Sequence, residues 1–176
     1  IERLGIKVLY IESPKTLDQV TAQVLMWGRI IDRVDASKQL ARQFQDAVDE
    51  VLYTIKTSDR GPRVFHEEAP GLWTAGSGSL SNEIYNLLGA ENVFGDMLGF
   101  SQVSPEQVVA RDPEVVISVY KDGPSRMRTD SAFQKMSAVK GDRLFYVNGD
   151  LLSVSGPRLR LGIEQVAAYL YPDLFQ

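Results

Sequence analysis

Ser104-Pro105-Glu106-Gln107, with Asp112-Pro113-Glu114 and the apolar run Val115-Val116-Ile117 close behind, constrains this chain more than any other stretch. Ser104 reads as a helix N-cap, Pro105 as the first helical residue, and Gln107 as the residue that reaches back to complete a capping box. The helix must stop before Pro113, because the residue ahead of a proline is pushed out of the helical region. The β-branched run that follows reads as a buried strand. Strand and helix alternate in this way along the whole chain, which predicts an α/β layer with a mainly parallel sheet. Glu106 is left in the exposed first turn of its helix, where it complements the helix dipole.

The rest of the chain supplies the partners for that unit. Residues 6–11 predict a strand from their β-branched and aromatic content. Thr16 caps a helix with Gln19 in a T-x-x-Q box, and Leu17, Val20, Val24, Trp27 and Ile31 draw one apolar stripe on it. A break is expected at residues 32–35. A second helix then runs over 35–59 with Leu40, Phe44, Val48, Val51 and Ile55 inward, roughly 37 Å long at about 1.5 Å per residue. Arg60-Gly61-Pro62 ends it. Residues 63–66 form the next strand, Leu72-Trp73-Thr74 a sheet continuation or an edge loop, and Gly76-Ser77-Gly78-Ser79 a turn into a helix closed by Gly89. Residues 95–102 read as a loop and 121–130 as polar and irregular. A short helix over 131–136, a strand over 144–147, a turn at Asn148-Gly149 and a last helix opened by Gly156-Pro157 complete the pattern.

Composition removes several classes of function. The 176 residues are 44% hydrophobic and 24% charged, enough to bury a real core. A net charge of -4 argues against nucleic acid as a main partner, since phosphate binding wants a basic face. No run approaches the roughly 18 apolar residues of a membrane span. Cysteine is absent, so disulfides, thiolate metal sites and cysteine nucleophiles are excluded. The chain opens on Ile1 without a targeting signal and almost directly with an apolar strand, and so reads as a fragment of a larger protein.

Three constellations look like chemistry. His66-Glu67-Glu68 carries metal-ligand residue types, but neighbours on an extended strand point to opposite faces, so His66 and Glu67 would not converge. The stretch reads as a solvated acidic strand end, with His66 as an axial ligand to haem or cobalt as the minority alternative. The 76–79 turn would suit a phosphate but lacks the P-loop lysine and the dinucleotide glycine spacing. A single histidine on a strand assembles no Ser/His/Asp triad. No metal site and no catalytic residue is assigned.

Taken in order, Leu4-Gly5-Ile6, the paired helices of 16–59, Leu72-Trp73-Thr74-Ala75-Gly76-Ser77-Gly78-Ser79, Leu88-Gly89-Ala90-Glu91-Asn92-Val93-Phe94, the 104–117 segment, Ala138-Val139-Lys140 and Gly149-Asp150 with Gly156-Pro157-Arg158 resemble the helical-backbone class of metal-chelate receptors of ABC importers. The resemblance implies a Rossmann-like lobe, a long inter-lobe backbone helix and a missing N-terminal lobe. Residues 1–34 would be the last strand and helix of the first lobe, 35–59 the backbone helix, and 60–176 the C-terminal ligand-binding lobe. It implies that Glu67, Trp73, Phe100 and Asp150 bind the ligand and that Glu106 docks on the membrane permease. Read without the family, Trp73 would be core, and Phe100 could be exposed or buried.

The implied ligand is a cobalamin or related corrinoid first, then an iron-siderophore or haem. No resident cofactor is implied. The partners would be that chelate and the permease subunits, with no nucleic acid. Membrane contact would come only through the importer or a lipid anchor, on the periplasmic or extracellular face of the cytoplasmic membrane. A dimer of the truncated lobe through its exposed aromatics is a further expectation. The sequence departs from cobalamin receptors at acidic Glu67, where those show an aromatic, and at Val154, where an arginine can follow the aspartate. The rival reading is an α/β nucleotide-dependent enzyme using the 76–79 turn.

Overall fold

The computed structural model describes residues 2–55 and 61–175. After a 3-10 turn at Glu2–Leu4 come two α-helices, α1 (Leu17–Ile30) and α2 (Val34–Ile55), and α2 is about 33 Å long by its helical rise. The expected continuation of α2 to residue 59 and its stop at Arg60 lie outside the described residues. The Thr16 hydroxyl accepts from the Gln19 N–H at 3.3 Å, while Gln19 Oε1 accepts from the Lys15 N–H at 2.7 Å rather than from that of Thr16. The box is thus displaced by one residue.

Three expectations about this region change. Residues 6–11 are irregular rather than a strand, and Ile6, Val8, Leu9 and Tyr10 are exposed. No described strand runs beside them, and β propensity without a partner edge makes no ladder. The α1 stripe is buried only at Leu17 and Val20; further on, Gly28 faces α2, and Trp27 and Ile31 are exposed. On α2 the buried face is Ser37, Ala41, Phe44, Val48, Val51 and Ile55, with Leu40 turned to solvent. A Cβ on Gly28 would lie 2.0 Å from Ser37 Oγ, so glycine is what lets the two helices meet.

Four parallel strands form the sheet: β1 (Arg63–Glu67), β3 (Glu91–Asn92), β5 (Val115–Ser118) and β6 (Leu144–Tyr146), in the order β3-β1-β5-β6. A separate antiparallel ribbon pairs β2 (Trp73–Ala75) with β4 (Phe100–Gln102), so the segment expected as a loop over 95–102 ends in a strand. Helices α3 (Leu80–Leu87), α4 (Pro105–Arg111), α5 (Gly123–Thr129), α6 (Ser137–Lys140), α7 (Gly149–Leu152) and α8 (Leu159–Leu170) fill the connections. The polar 121–130 stretch is therefore helical over most of its length. Burial of Met127 and the ion pair of Arg126 with Glu67 fix α5 where its own propensity is weak. The 131–136 stretch holds only a 3-10 turn, Ser131–Phe133.

Both faces of the sheet are covered, as a parallel sheet requires. Alternation along the strands divides the core. Val64, Val115 and Ile117 pack against α2, α3 and α8, while Phe65, Val116 and Leu144 pack on the other side with Val108, Met127 and Phe133. Arg143 closes the end of α8 by donating to the Tyr169 and Leu170 carbonyls, each at 3.0 Å, and a cation is favoured there by the helix dipole. The capping box at α4 is complete: the Ser104 hydroxyl accepts from the Gln107 N–H at 3.3 Å and Gln107 Oε1 accepts from the Ser104 N–H at 2.8 Å.

Candidate functional site

After β1 the chain crosses to β3 on one side, and after β3 it returns to β5 on the other. The sheet therefore has a switch point between the carboxyl ends of β1 and β5, where open α/β sheets bind ligands. Three residues at the end of β1 meet different surroundings. Glu67 faces the α5 side and is completely buried. Its Oε2 lies 2.8 Å from the Ser118 hydroxyl at the end of β5, and its Oε1 is paired with the Arg126 guanidinium. Burial pushes the Glu67 carboxyl up, against the lowering effect of Ser118 and Arg126. The carboxylate has no access to an opening, so it does not stand where a ligand-binding Glu67 was expected; it closes the α5 face of the switch point from inside. Gly123 belongs to that closure, since a Cβ there would lie 2.2 Å from Glu67 Oε2 and 2.3 Å from Ser118 Oγ.

His66 and Glu68 face the other side. His66 is fully buried, with Nδ1 2.7 Å from the Tyr85 hydroxyl and Nε2 2.7 Å from Glu68 Oε2. Both ring nitrogens are engaged inside the protein, and the imidazole has no open approach for the axial coordination considered from sequence. Glu68 is partly exposed, at 21% for its side chain, and lines a cavity of about 220 Å³. The same cavity is bounded by Lys15, the 78–81 stretch at the start of α3, Phe100, and Leu152 and Ser153 at the end of α7. The 76–79 segment is a tight turn: Gly78 has φ +75°, and Ser79 spends its hydroxyl capping α3, accepting from the Asn82 N–H at 3.2 Å. Among the described residues, no group of three or more histidines, aspartates and glutamates is arranged to hold a metal ion.

Trp73 and Phe100 stand on the ribbon rather than on loops. Trp73 pairs with Gln102 and Phe100 with Ala75, and partners in register share a face of an antiparallel ribbon. Trp73 and Phe100 therefore stand diagonally on one face, exposed at 42% and 59%. The ribbon is positioned by Asn92, whose Nδ2 donates to the Ala75 carbonyl at 2.7 Å and to Asn82 Oδ1 at 3.0 Å, and by Gln102 Nε2, which donates to the Gly71 carbonyl at 3.0 Å. Asp150 lies exposed in the first turn of α7, with its N–H bound to Asn148 Oδ1 at 3.0 Å; its carboxylate is outside the cavity lining while Leu152 and Ser153 of the same turn are in it. The structure thus brings Phe100, its ribbon neighbour Trp73 and the helix of Asp150 to one end of the fold, and leaves Glu67 out. Of the 66–68 strand end the sequence reading chose Glu67, whereas Glu68 is the carboxylate that lines the cavity, as its two-residue spacing from His66 on an extended strand could have signalled.

Glu106 sits apart, exposed in the first turn of α4 beside a shallow groove of about 460 Å³ shared with Val109, Ala132 and Lys135. Hydrogen bonding to Ser104 lowers its carboxyl below the usual range. No helix among the described residues is long and apolar enough to cross a membrane.

The family described as periplasmic binding protein matches residues 1–151. An uncharacterized ABC transporter substrate-binding lipoprotein of Bacillus subtilis (strain 168), YvrC, is 27% identical over 176 residues, covering 98% of this chain and 56% of the relative. A vitamin B12-binding protein of Pectobacterium carotovorum is 29% identical over 174 residues, covering 97% of this chain and 61% of the relative. The chain therefore spans rather more than half the length of these relatives. The crystal structure of the periplasmic vitamin B12-binding protein BtuF of Vibrio cholerae superposes with a TM-score of 0.84 at 25% identity, over 99% of this chain and 69% of that one.

Proposed function

The chain belongs to the periplasmic binding protein family, and on that premise we propose that it is part of the substrate-binding component of an ABC importer, which captures a metal chelate and hands it to the membrane permease. The observation that carries the ligand class is the pair Trp73 and Phe100, two exposed aromatics on one ribbon face beside a cavity at the strand ends. A large flat chelate is held by aromatic faces with a few orienting polar groups. A cobalamin or related corrinoid is the first ligand in this reading, supported by a relative named for vitamin B12, with an iron-siderophore or haem next. The relatives are named for binding rather than for catalysis.

In this reading α2 is the inter-lobe backbone, residues 1–34 close a first lobe, and residues from 60 onward form the second. Asp150, at the rim, orients the ligand from outside the cavity. Glu106 docks on the permease. The protein works on the periplasmic or outer face of the cytoplasmic membrane, held by the importer or by a lipid anchor such as the Bacillus relative's name implies. The exposed Trp73 and Phe100 also offer a second copy of the lobe a surface for association, which sedimentation at rising concentration would read.

The test is titration of the full-length protein with cyanocobalamin, a ferric hydroxamate and haem, followed by chelate absorbance and tryptophan fluorescence. Saturable binding of one of them with quenching that Trp73→Phe diminishes supports the reading. Absence of binding to all three overturns it.

A further inference from the structure

Glu68 and His66 stand two residues apart on the same side of the β1 end, and their contact has a direction. Burial raises the Tyr85 hydroxyl well above the ordinary phenol range, so it keeps its proton. Hydrogen bonds from His66 and Ser153 hold the Glu68 carboxyl below its usual range in spite of burial, so it is ionised at neutral pH and can only accept. The imidazole between them carries hydrogen on Nε2 to serve Glu68, and its Nδ1 meets the Tyr85 hydroxyl. The order in space is Tyr85 hydroxyl, Nδ1, Nε2 and carboxylate, each contact at 2.7 Å. Two fully or nearly fully buried side chains are thus spent on orienting one carboxylate that opens into a cavity.

That cavity is small, and Glu68 is the acidic residue in its lining. Serine hydroxyls line it beside Phe100 and Leu152, and Lys15 stands among the lining residues as an exposed cation. A pre-oriented anion of this kind rewards a ligand that brings N–H donors, and its like charge disfavours a ligand carboxylate placed against it. We propose that Glu68 is the recognition group of this cavity, selecting chelates rimmed by amide or ammonium N–H against chelates rimmed by carboxylates, with His66 and Tyr85 as its positioning residues. This rests on the chelate-receptor reading above and goes further by naming which rim chemistry is accepted.

Two matched pairs of probes test it on the full-length protein: dicyanocobinamide against the heptacarboxylic dicyanocobyrinic acid, and ferrioxamine B, which carries a free ammonium, against ferric citrate. Dissociation constants are measured for wild type, Glu68→Gln and Tyr85→Phe by calorimetry. The expected result is a donor-over-carboxylate preference in wild type for whichever scaffold binds, narrowed roughly tenfold in Glu68→Gln, mostly by improved binding of the carboxylate member. Tyr85→Phe, which keeps the carboxylate but loses its orientation, should narrow the same ratio by less. If Glu68 were only structural, both members of a pair would weaken together. An unchanged ratio in the variant that folds, or binding of none of the four probes, overturns the proposal; the receptor reading falls only if cyanocobalamin, a ferric hydroxamate and haem also all fail to bind.

Discussion

Glu67 and Glu68 share a peptide bond and sit in opposite surroundings: Glu67 is sealed inside the sheet against Ser118 and Arg126, and Glu68 is turned through the His66 side into a cavity. The first carboxyl is pushed up by burial, the second drawn down by hydrogen bonds. Strand alternation at the end of β1 makes the division, and it decides which of the two acidic residues faces the cavity.

The two should therefore respond to acid with opposite signs. For Glu67 the folded state holds the proton more tightly than the unfolded chain does. Its contribution is fully present below the ordinary value of 4.5 and is lost as pH rises through the raised folded value. For Glu68 the contribution is present above 4.5 and is lost as pH falls through the depressed folded value. Melting curves at a series of pH values from 7 down to 3 should show the wild type gaining on Glu67→Gln through acidification above 4.5, and losing ground to Glu68→Gln below it. Parallel difference curves would refute the assignment.

Gly123→Ala should be costly although glycine there has ordinary backbone angles. The new methyl would lie 2.2 Å from Glu67 Oε2 and 2.3 Å from Ser118 Oγ, so it must displace a buried ion pair or move α5. A loss of about 2 kcal/mol or more is expected, read as a fall of roughly 5 °C in Tm. Gly99→Ala, where nothing stands within 4 Å but φ is +70°, should cost about 1 kcal/mol through backbone strain alone.

Trp73→Ala and Phe100→Ala should each weaken binding of the cognate chelate about tenfold, because aromatic anchors carry a large share of such contacts. Both side chains are substantially exposed, so Tm should move little. A large drop in Tm with unchanged affinity would make them structural residues and remove the aromatic wall from the site.

What could be read along the chain was what is decided locally. Ser104, Pro105 and Gln107 specify a helix start by their own hydrogen bonds, and Thr16 and Ser79 do the same for α1 and α3. The failures are elements held from a distance. Strand β4 exists because β2, some 27 residues earlier, pairs with it; α5 has a polar sequence and is held by Met127 in the core and Arg126 on Glu67. Residues 6–11 err the other way, with strand propensity and no partner edge. The placement of the candidate residues divides in the same way: Trp73, Phe100 and the helix of Asp150 fall at one end of the fold, but whether Glu67 or Glu68 opens outward depends on a one-residue parity that composition does not reveal.

Glu106 offers the cleanest separation of binding from delivery. It lies in the first turn of α4, away from the cavity of Phe100 and Glu68, and is free of the core on a groove it shares with Lys135. An exposed carboxylate at such a spot contributes little to stability, so Glu106→Ala should leave Tm and chelate affinity within error. If it pairs with a cation on the permease, truncation removes one charged contact from the docked complex and slows its formation. Uptake by cells or by reconstituted importer should then fall roughly tenfold with saturating chelate present. Charge reversal to lysine should abolish it. Full uptake by both variants would sink the docking role, and a loss of chelate affinity would move Glu106 into the binding site.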